Sequence, residues 1–123
     1  MQSAAGTTGG VAYAFDGYRV DTLRRQVRDR EGQPLELPAR AFDALLYLVE
    51  RPGEDVARDR LVKAVWPRTI VADNSLDQAI STLRRALGDG RNEPRYILTV
   101  PGRGYRFIAP VEVLRDDSPA PSV

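Results

Sequence analysis

Between Asn74 and Phe107 the chain carries an apolar repeat at helical spacing, followed by a glycine-framed turn between two short apolar runs. At about 100° per residue, Leu76, Ile80, Leu83 and Leu87 fall within one narrow stripe. Asn74, Ser75, Gln78, Ser81, Thr82 and Arg85 fall on the opposite side, with Asp77 and Arg84 on one flank. Gly88 is a natural C-terminal stop for this helix. Residues 96–100 and 104–108 then read as a hairpin, and the PGRG turn between them puts Arg103 at its apex between Gly102 and Gly104. A helix that buries one stripe and a hairpin that must pack beside it constrain the remainder to a small α+β domain.

The preceding elements fit that frame. Val11, Tyr13 and Phe15 alternate, Asp16-Gly17 is a hairpin turn signal, and Tyr18 and Val20 begin the return strand. A second strand pair is expected around Leu23–Val27 and Leu35–Leu37, joined through Glu31-Gly32. Pro38 suits the first position of a helix, where its missing N–H costs nothing. Phe42, Leu45, Leu46 and Val49 recur as its core face, and Pro52-Gly53 stops it. Val56 is a brief apolar point, and Arg58–Trp66 reads as a second helix with Leu61, Val62 and Val65 inward, ended by Pro67. Residues 67–73 form a connecting loop, in which Asp73 is a candidate cap for the next helix, as is Asn74 after it. The expected organisation is a flexible tail over residues 1–10, one domain over 11–110 and a linker or tail over 111–123.

Composition narrows the chemistry. There is no cysteine and no histidine among the 123 residues, so disulfides, thiolate metal sites and the usual neutral-pH general base are missing. No cofactor, metal or catalytic set is expected. Adjacent acidic pairs at Glu54-Asp55 and Asp116-Asp117 stand near exposed turns and lack any nucleophile–base arrangement. No apolar run reaches the roughly 18 residues of a membrane span, and a cytoplasmic location without membrane contact is the expectation. The formal charge is only +1, yet it is uneven. Residues 36–55 carry two arginines against five acids, a net −3, whereas 58–72 and 76–108 each carry +3. A polyanion would be drawn to the second half.

The polar face of the third helix is narrow enough for a B-form major groove about 12 Å wide. Asparagine and glutamine pair bidentately with adenine, arginine with guanine, and serine or threonine with bases or phosphates. An arginine at a hairpin tip suits a narrow minor groove, where the potential is most negative. Any surface helix has a polar face and any turn can be solvated, so the alternative is a module whose exposed helix docks another protein. The near-neutral total charge favours that alternative.

Three motifs, LVKAVWP, NSLDQAISTLRRALGD and YILTVPGRGYRF, resemble the winged-helix DNA-binding domain of OmpR/PhoB-type transcriptional regulators over roughly residues 13–110. The resemblance implies a winged helix-turn-helix with an N-terminal antiparallel sheet, three helices and a C-terminal β-hairpin wing. It implies double-stranded DNA as partner, with residues 74–87 in the major groove and 97–107 at the minor groove. Asn74, Ser75, Gln78, Thr82 and Arg84 match positions that contact bases or backbone, Trp66 a tryptophan near phosphate, and Thr99 and Tyr105 wing positions that reach the backbone. Ser81, Arg85 and Arg103 complete the expected interface from the helix face and the turn. The same family implies an RNA polymerase contact for loop 67–73 in some members, and tandem copies on repeated half-sites. Tyr105 and Phe107 are nevertheless expected to pack the wing onto the body rather than meet DNA, and Asp77 to face an arginine rather than DNA.

Two departures stand out. Pro101 occupies a wing position that is often arginine, leaving Arg103 as the available cation, and Asn74, Ser81 and Thr82 stand where many members carry arginines. Weaker phosphate anchoring and a different base preference follow. The absence of a receiver domain before Val11 resembles regulators whose DNA-binding domain comes first. A sensor following Val123, or lost, is the expectation.

Overall fold

The computed structural model describes residues 11–72, 74–90 and 93–115. They form two compact units, one drawn from residues 1–35 and 111–123 and the other from residues 36–110. Expectations that fall on residues 1–10, on Asp73 and on residues 116–123 lie outside the described part.

The first unit is a five-stranded antiparallel sheet. Its strands are β1 (Val11–Phe15), β2 (Tyr18–Asp21), β3 (Gln26–Arg28), β4 (Pro34–Leu35) and β8 (Glu112–Arg115), ordered β4-β3-β2-β1-β8. The Asp-Gly turn between β1 and β2 has φ +47° at Asp16 and +87° at Gly17. This is the left-handed pair that a two-residue hairpin requires and that this dipeptide adopts cheaply. Phe15 and Tyr18 stack at 5.4 Å beside it. Phe15, Tyr18, Val20 and Val27 are buried while Arg19 is exposed, the alternation expected of a half-buried sheet. Strand β8 corrects the expectation of a linker from residue 111. Residues Glu112–Ala14 through Arg115–Val11 pair antiparallel, closing the sheet on the far side of β1. The strand is short, and its partner lies at the other end of the chain.

The second unit holds three helices and a three-stranded sheet. Helix α1 (Ala39–Val49) buries Ala41, Phe42, Ala44, Leu45, Leu48 and Val49. Leu46 is only half-buried, so the core face is centred slightly differently from the expected stripe. Pro38 stands one position before the helix as its cap residue, and its carbonyl accepts from Phe42 N–H at 3.0 Å. Strand β5 (Val56–Ala57) leads into α2 (Arg58–Val65), which buries Leu61 and Val65 but leaves Val62 half-buried. Helix α3 (Asn74–Leu87) follows with the expected bounds, and β6 (Ile97–Val100) and β7 (Gly104–Phe107) form the hairpin. The sheet order is β5-β7-β6, so the hairpin is tied to the body through β5. Helix α1 packs on α2, α3 and β7 and is the centre of the unit.

Candidate nucleic-acid interface

Helix α3 is held from behind and at its C-terminal end. Leu76, Ala79, Ile80, Leu83 and Leu87 are buried, each of the larger ones contributing about 1.5–3 kcal/mol. The C-terminus closes by a Schellman arrangement: Asp89 N–H donates to Arg84 O at 2.8 Å and Gly88 N–H to Arg85 O at 3.3 Å, with Gly88 at φ +69°. Asp89 then turns its carboxylate to the start of the hairpin. It accepts from the amides of Arg95 at 2.6 Å, Tyr96 at 3.3 Å and Ile97 at 3.0 Å. Helix and hairpin are thereby joined through one buried carboxylate. Sequence reasoning passed over Asp89; its signal is an aspartate directly after the C-terminal glycine.

With its rear fixed, α3 divides its polar residues into three strips. Asn74, Gln78, Ser81 and Arg85 are exposed and lie within about 60° of one another at about 100° per residue. They stand opposite the buried stripe. On one flank Ser75 and Thr82 are half-buried and join Gln78, Trp66, Arg40 and Pro38 around a recess of about 210 Å³. Trp66 is half-buried, and Arg40 donates to Val65 O at 2.6 Å. Arg40 was not anticipated, because nothing in its local sequence separates it from other surface arginines of α1.

The other flank faces the hairpin, which engages Arg84 and Asp77 of the helix and Tyr105 of its own second strand. Arg84 is 9% exposed, and its guanidinium donates to Ile97 O at 3.0 Å and to Thr99 Oγ1 at 2.8 Å. It is therefore a strut between α3 and β6 and is not presented to bases. Its Nε is buried without a partner among the described residues. Tyr105, directly opposite Thr99 in the hairpin, is buried and donates from its hydroxyl to Asp77 Oδ1 at 2.6 Å. Arg58 donates to the same oxygen at 2.6 Å. Asp77 is thus turned toward an arginine, as expected, and its charge is answered within the protein. Burial and the hydrogen bond to Asp77 push the Tyr105 phenol above its ordinary value, and the same carboxylate raises the Arg58 guanidinium. Thr99 is exposed and is the hairpin residue of this group that remains presented outward.

The hairpin tip needs its two glycines for different reasons. Gly102 has φ +75°, a left-handed conformation unfavourable for other residues. Gly104 has no such φ. A Cβ there would lie 1.9 Å from Val56 O, so glycine is required for the close approach of β5. Arg103 between them is 71% exposed, as the sequence suggests, yet its NH1 stands 3.3 Å from Asp55 Oδ2. Arg106 holds the other oxygen at 2.6 Å, and these guanidiniums, Arg106 foremost, keep the Asp55 carboxyl below its ordinary range. An exposed pair of this kind is worth about 0–1 kcal/mol, so Arg103 is steadied rather than immobilised.

Loop 67–72 leaves the Ile70 side chain fully exposed. Among the described residues no helix is long and apolar enough to cross a membrane.

Comparison with known proteins agrees with this geometry. Residues 32–107 match the family described as "Transcriptional regulatory protein, C terminal". The chain is 42% identical over 83 residues to the transcriptional activator CadC of Escherichia coli K12, covering 67% of this chain and 16% of that protein. It is 38% identical over 104 residues to the cholera toxin transcriptional activator of Vibrio cholerae, covering 81% of this chain and 35% of that protein. The chain therefore spans about a third or less of the length of these relatives. Among solved structures, the DNA-binding domain of E. coli CadC superposes with a TM-score of 0.72 at 35% identity, covering 82% of this chain and 94% of that one. The Klebsiella pneumoniae RstA DNA-binding domain, in complex with the RstA box, gives 0.70 at 34% identity over 79% and 96% of the two chains. The chain belongs to the OmpR/PhoB-type family of transcriptional regulatory domains, with the winged-helix fold of that family.

Proposed function

We propose that this domain binds double-stranded DNA sequence-specifically to regulate transcription, with α3 in the major groove and the hairpin Ile97–Phe107 at the adjacent minor groove. The observation that carries the proposal is the bare outward strip of Asn74, Gln78, Ser81 and Arg85, set opposite a fully buried stripe. In this reading Ser75, Thr82 and Trp66 meet phosphate from the recessed flank, Thr99 meets it from the hairpin, and Arg103 enters the minor groove. Arg84 and Tyr105 hold helix and hairpin at a fixed spacing. The likeness to a domain described in complex with its DNA box supports the assignment.

A single domain of this kind buries about 600–1,000 Å² of its own surface on DNA, which gives modest affinity alone. Tandem occupancy of repeated half-sites is part of the proposal. Loop 67–73 is proposed as a contact for RNA polymerase, supported by the exposed Ile70 side chain. Enzymatic activity forms no part of the reading.

Salt titration tests the electrostatic part. If three to five phosphates are neutralised, log K against log salt has a slope of about −3 to −4.5. Binding without salt dependence refutes it. The second reading, a protein-docking module, draws on the near-neutral total charge of +1. Failure to bind any genomic fragment in gel shift, at low salt and without competitor, would favour it.

A further inference from the structure

We infer that this domain selects its operator by adenine, read chiefly by Gln78 with Asn74 one turn before it, and that uncharged groups carry the discrimination within the major groove. The inference rests on the DNA-binding reading above and gives that interface its base preference.

Three observations lead to it. First, the hairpin-side flank of α3 is already engaged, with Arg84 buried against the hairpin and Asp77 bound by Arg58 and Tyr105, and on the other flank Ser75 and Thr82 are set back, half-buried, beside the Trp66 recess. The groups left to meet base edges are therefore those of the outward strip. Among the described residues, no side-chain hydrogen bond ties Asn74, Gln78, Ser81 or Arg85. Secondly, recognition helices in this geometry present their N-terminal residues to the bases. Asn74 and Gln78 stand in the first half of α3, about 6 Å apart along the axis, which is about two base-pair steps. Arg85 lies about 10 Å beyond Gln78, where the helix leaves the groove and a guanidinium meets phosphate. Thirdly, a carboxamide sets an N–H donor beside a carbonyl acceptor in one plane, the pattern that adenine N7 and the N6 amino group complete. Ser81 offers a single hydroxyl that can donate or accept, so it tolerates several bases.

The charge state of this strip adds a second expectation. Asn74 and Gln78 are neutral, and the acid on their helix is paired internally. Salt screens phosphate contacts but leaves base pairing by neutral amides nearly untouched. Affinity falls with salt while the ratio between the preferred and a mismatched site stays constant.

Binding-site selection from a random duplex pool, run with the wild type and Gln78→Ala, tests this. The wild type enriches adenine at two positions within about two steps, each wrong base costing roughly five- to hundredfold. Gln78→Ala loses the preference at one of them and keeps it at the other. Replacing that adenine with 7-deazaadenine, which removes N7, weakens the wild type and not the variant. A wild-type site without adenine in the column that Gln78→Ala alters overturns the inference, as does a specificity ratio that falls with salt; in both cases DNA binding itself stands. No binding to any duplex overturns the underlying reading, and the inference with it.

Discussion

Replacing Arg84 with methionine separates a scaffold arginine from a base-reading one. The side chain is 9% exposed and makes two hydrogen bonds from one nitrogen, to Ile97 O and Thr99 Oγ1. Methionine keeps much of the length and fills irregular space, so packing is largely retained. The hydrogen bonds are lost. Bonds from a charged donor contribute about 1.5–3 kcal/mol each, but Thr99 is exposed and recovers water, so its share is small. Removing the guanidinium also relieves a buried Nε without a partner, offsetting about 1–3 kcal/mol. What remains is an unanswered Ile97 carbonyl and a loosened hairpin, a net loss of about 1–2 kcal/mol. For a domain of this size that lowers Tm by about 5–15 °C, given about 4–8 °C per kcal/mol. Circular dichroism melting without DNA reads this directly, and site selection with the variant reads base preference. The expected result is a lower Tm with every preferred base unchanged. A Tm within about 2 °C of wild type, together with a lost base preference, would refute the strut and restore Arg84 as a DNA reader.

Gly104→Ala should destabilise by more than about 2 kcal/mol, because its Cβ would lie 1.9 Å from the Val56 carbonyl and β5 must part from β7. Gly102→Ala should cost about 1 kcal/mol, from left-handed strain in open space; chemical denaturation of both variants checks the order, which a simple flexible-turn account would not predict. Asp55 is held below the ordinary 3.8 by Arg106 first and then Arg103, so the unfolded chain binds more protons in the acid range and stability rises with pH there. Its contribution is complete above about pH 4 and is lost as pH falls through the lower folded value. Urea midpoints from pH 5 to pH 2.5 should therefore fall more steeply for wild type than for Asp55→Asn, and parallel curves would contradict the pairing. Arg103→Ala should weaken binding to duplexes with AT-rich flanks more than to GC-rich ones in a gel shift; equal affinities would remove the minor-groove contact.

Local chemistry made much of the fold legible. Asp16-Gly17, Pro52-Gly53 and Gly88 each mark a real turn or helix end because the backbone conformation there is encoded by the residue itself. The bounds of α3 follow from apolar spacing, as do the four side chains of its buried stripe. What escaped was set by distant partners. The pairing of Glu112–Arg115 with β1 spans nearly the whole chain, and the acidic and proline-rich residues that follow mask a four-residue strand. Arg84 sits on a helix flank whose exposure depends on where the hairpin docks, which helical spacing does not contain. Gly104 reads as a turn glycine, although its requirement comes from a neighbouring strand. The outward strip was legible as a polar face; its division into a bare centre, a recessed flank and a flank engaged by the hairpin needed the positions of Trp66, Arg58 and Tyr105.

The most direct test of the central claim is an NMR spectrum of the domain bound to its selected duplex, with the Gln78 carboxamide assigned. The account predicts nuclear Overhauser contacts from the Gln78 side-chain protons to major-groove protons of the bases, with Asn74 contacting a base within two steps. A bound complex in which Gln78 and Asn74 keep their free-state shifts, while contacts fall elsewhere on the domain, would contradict it.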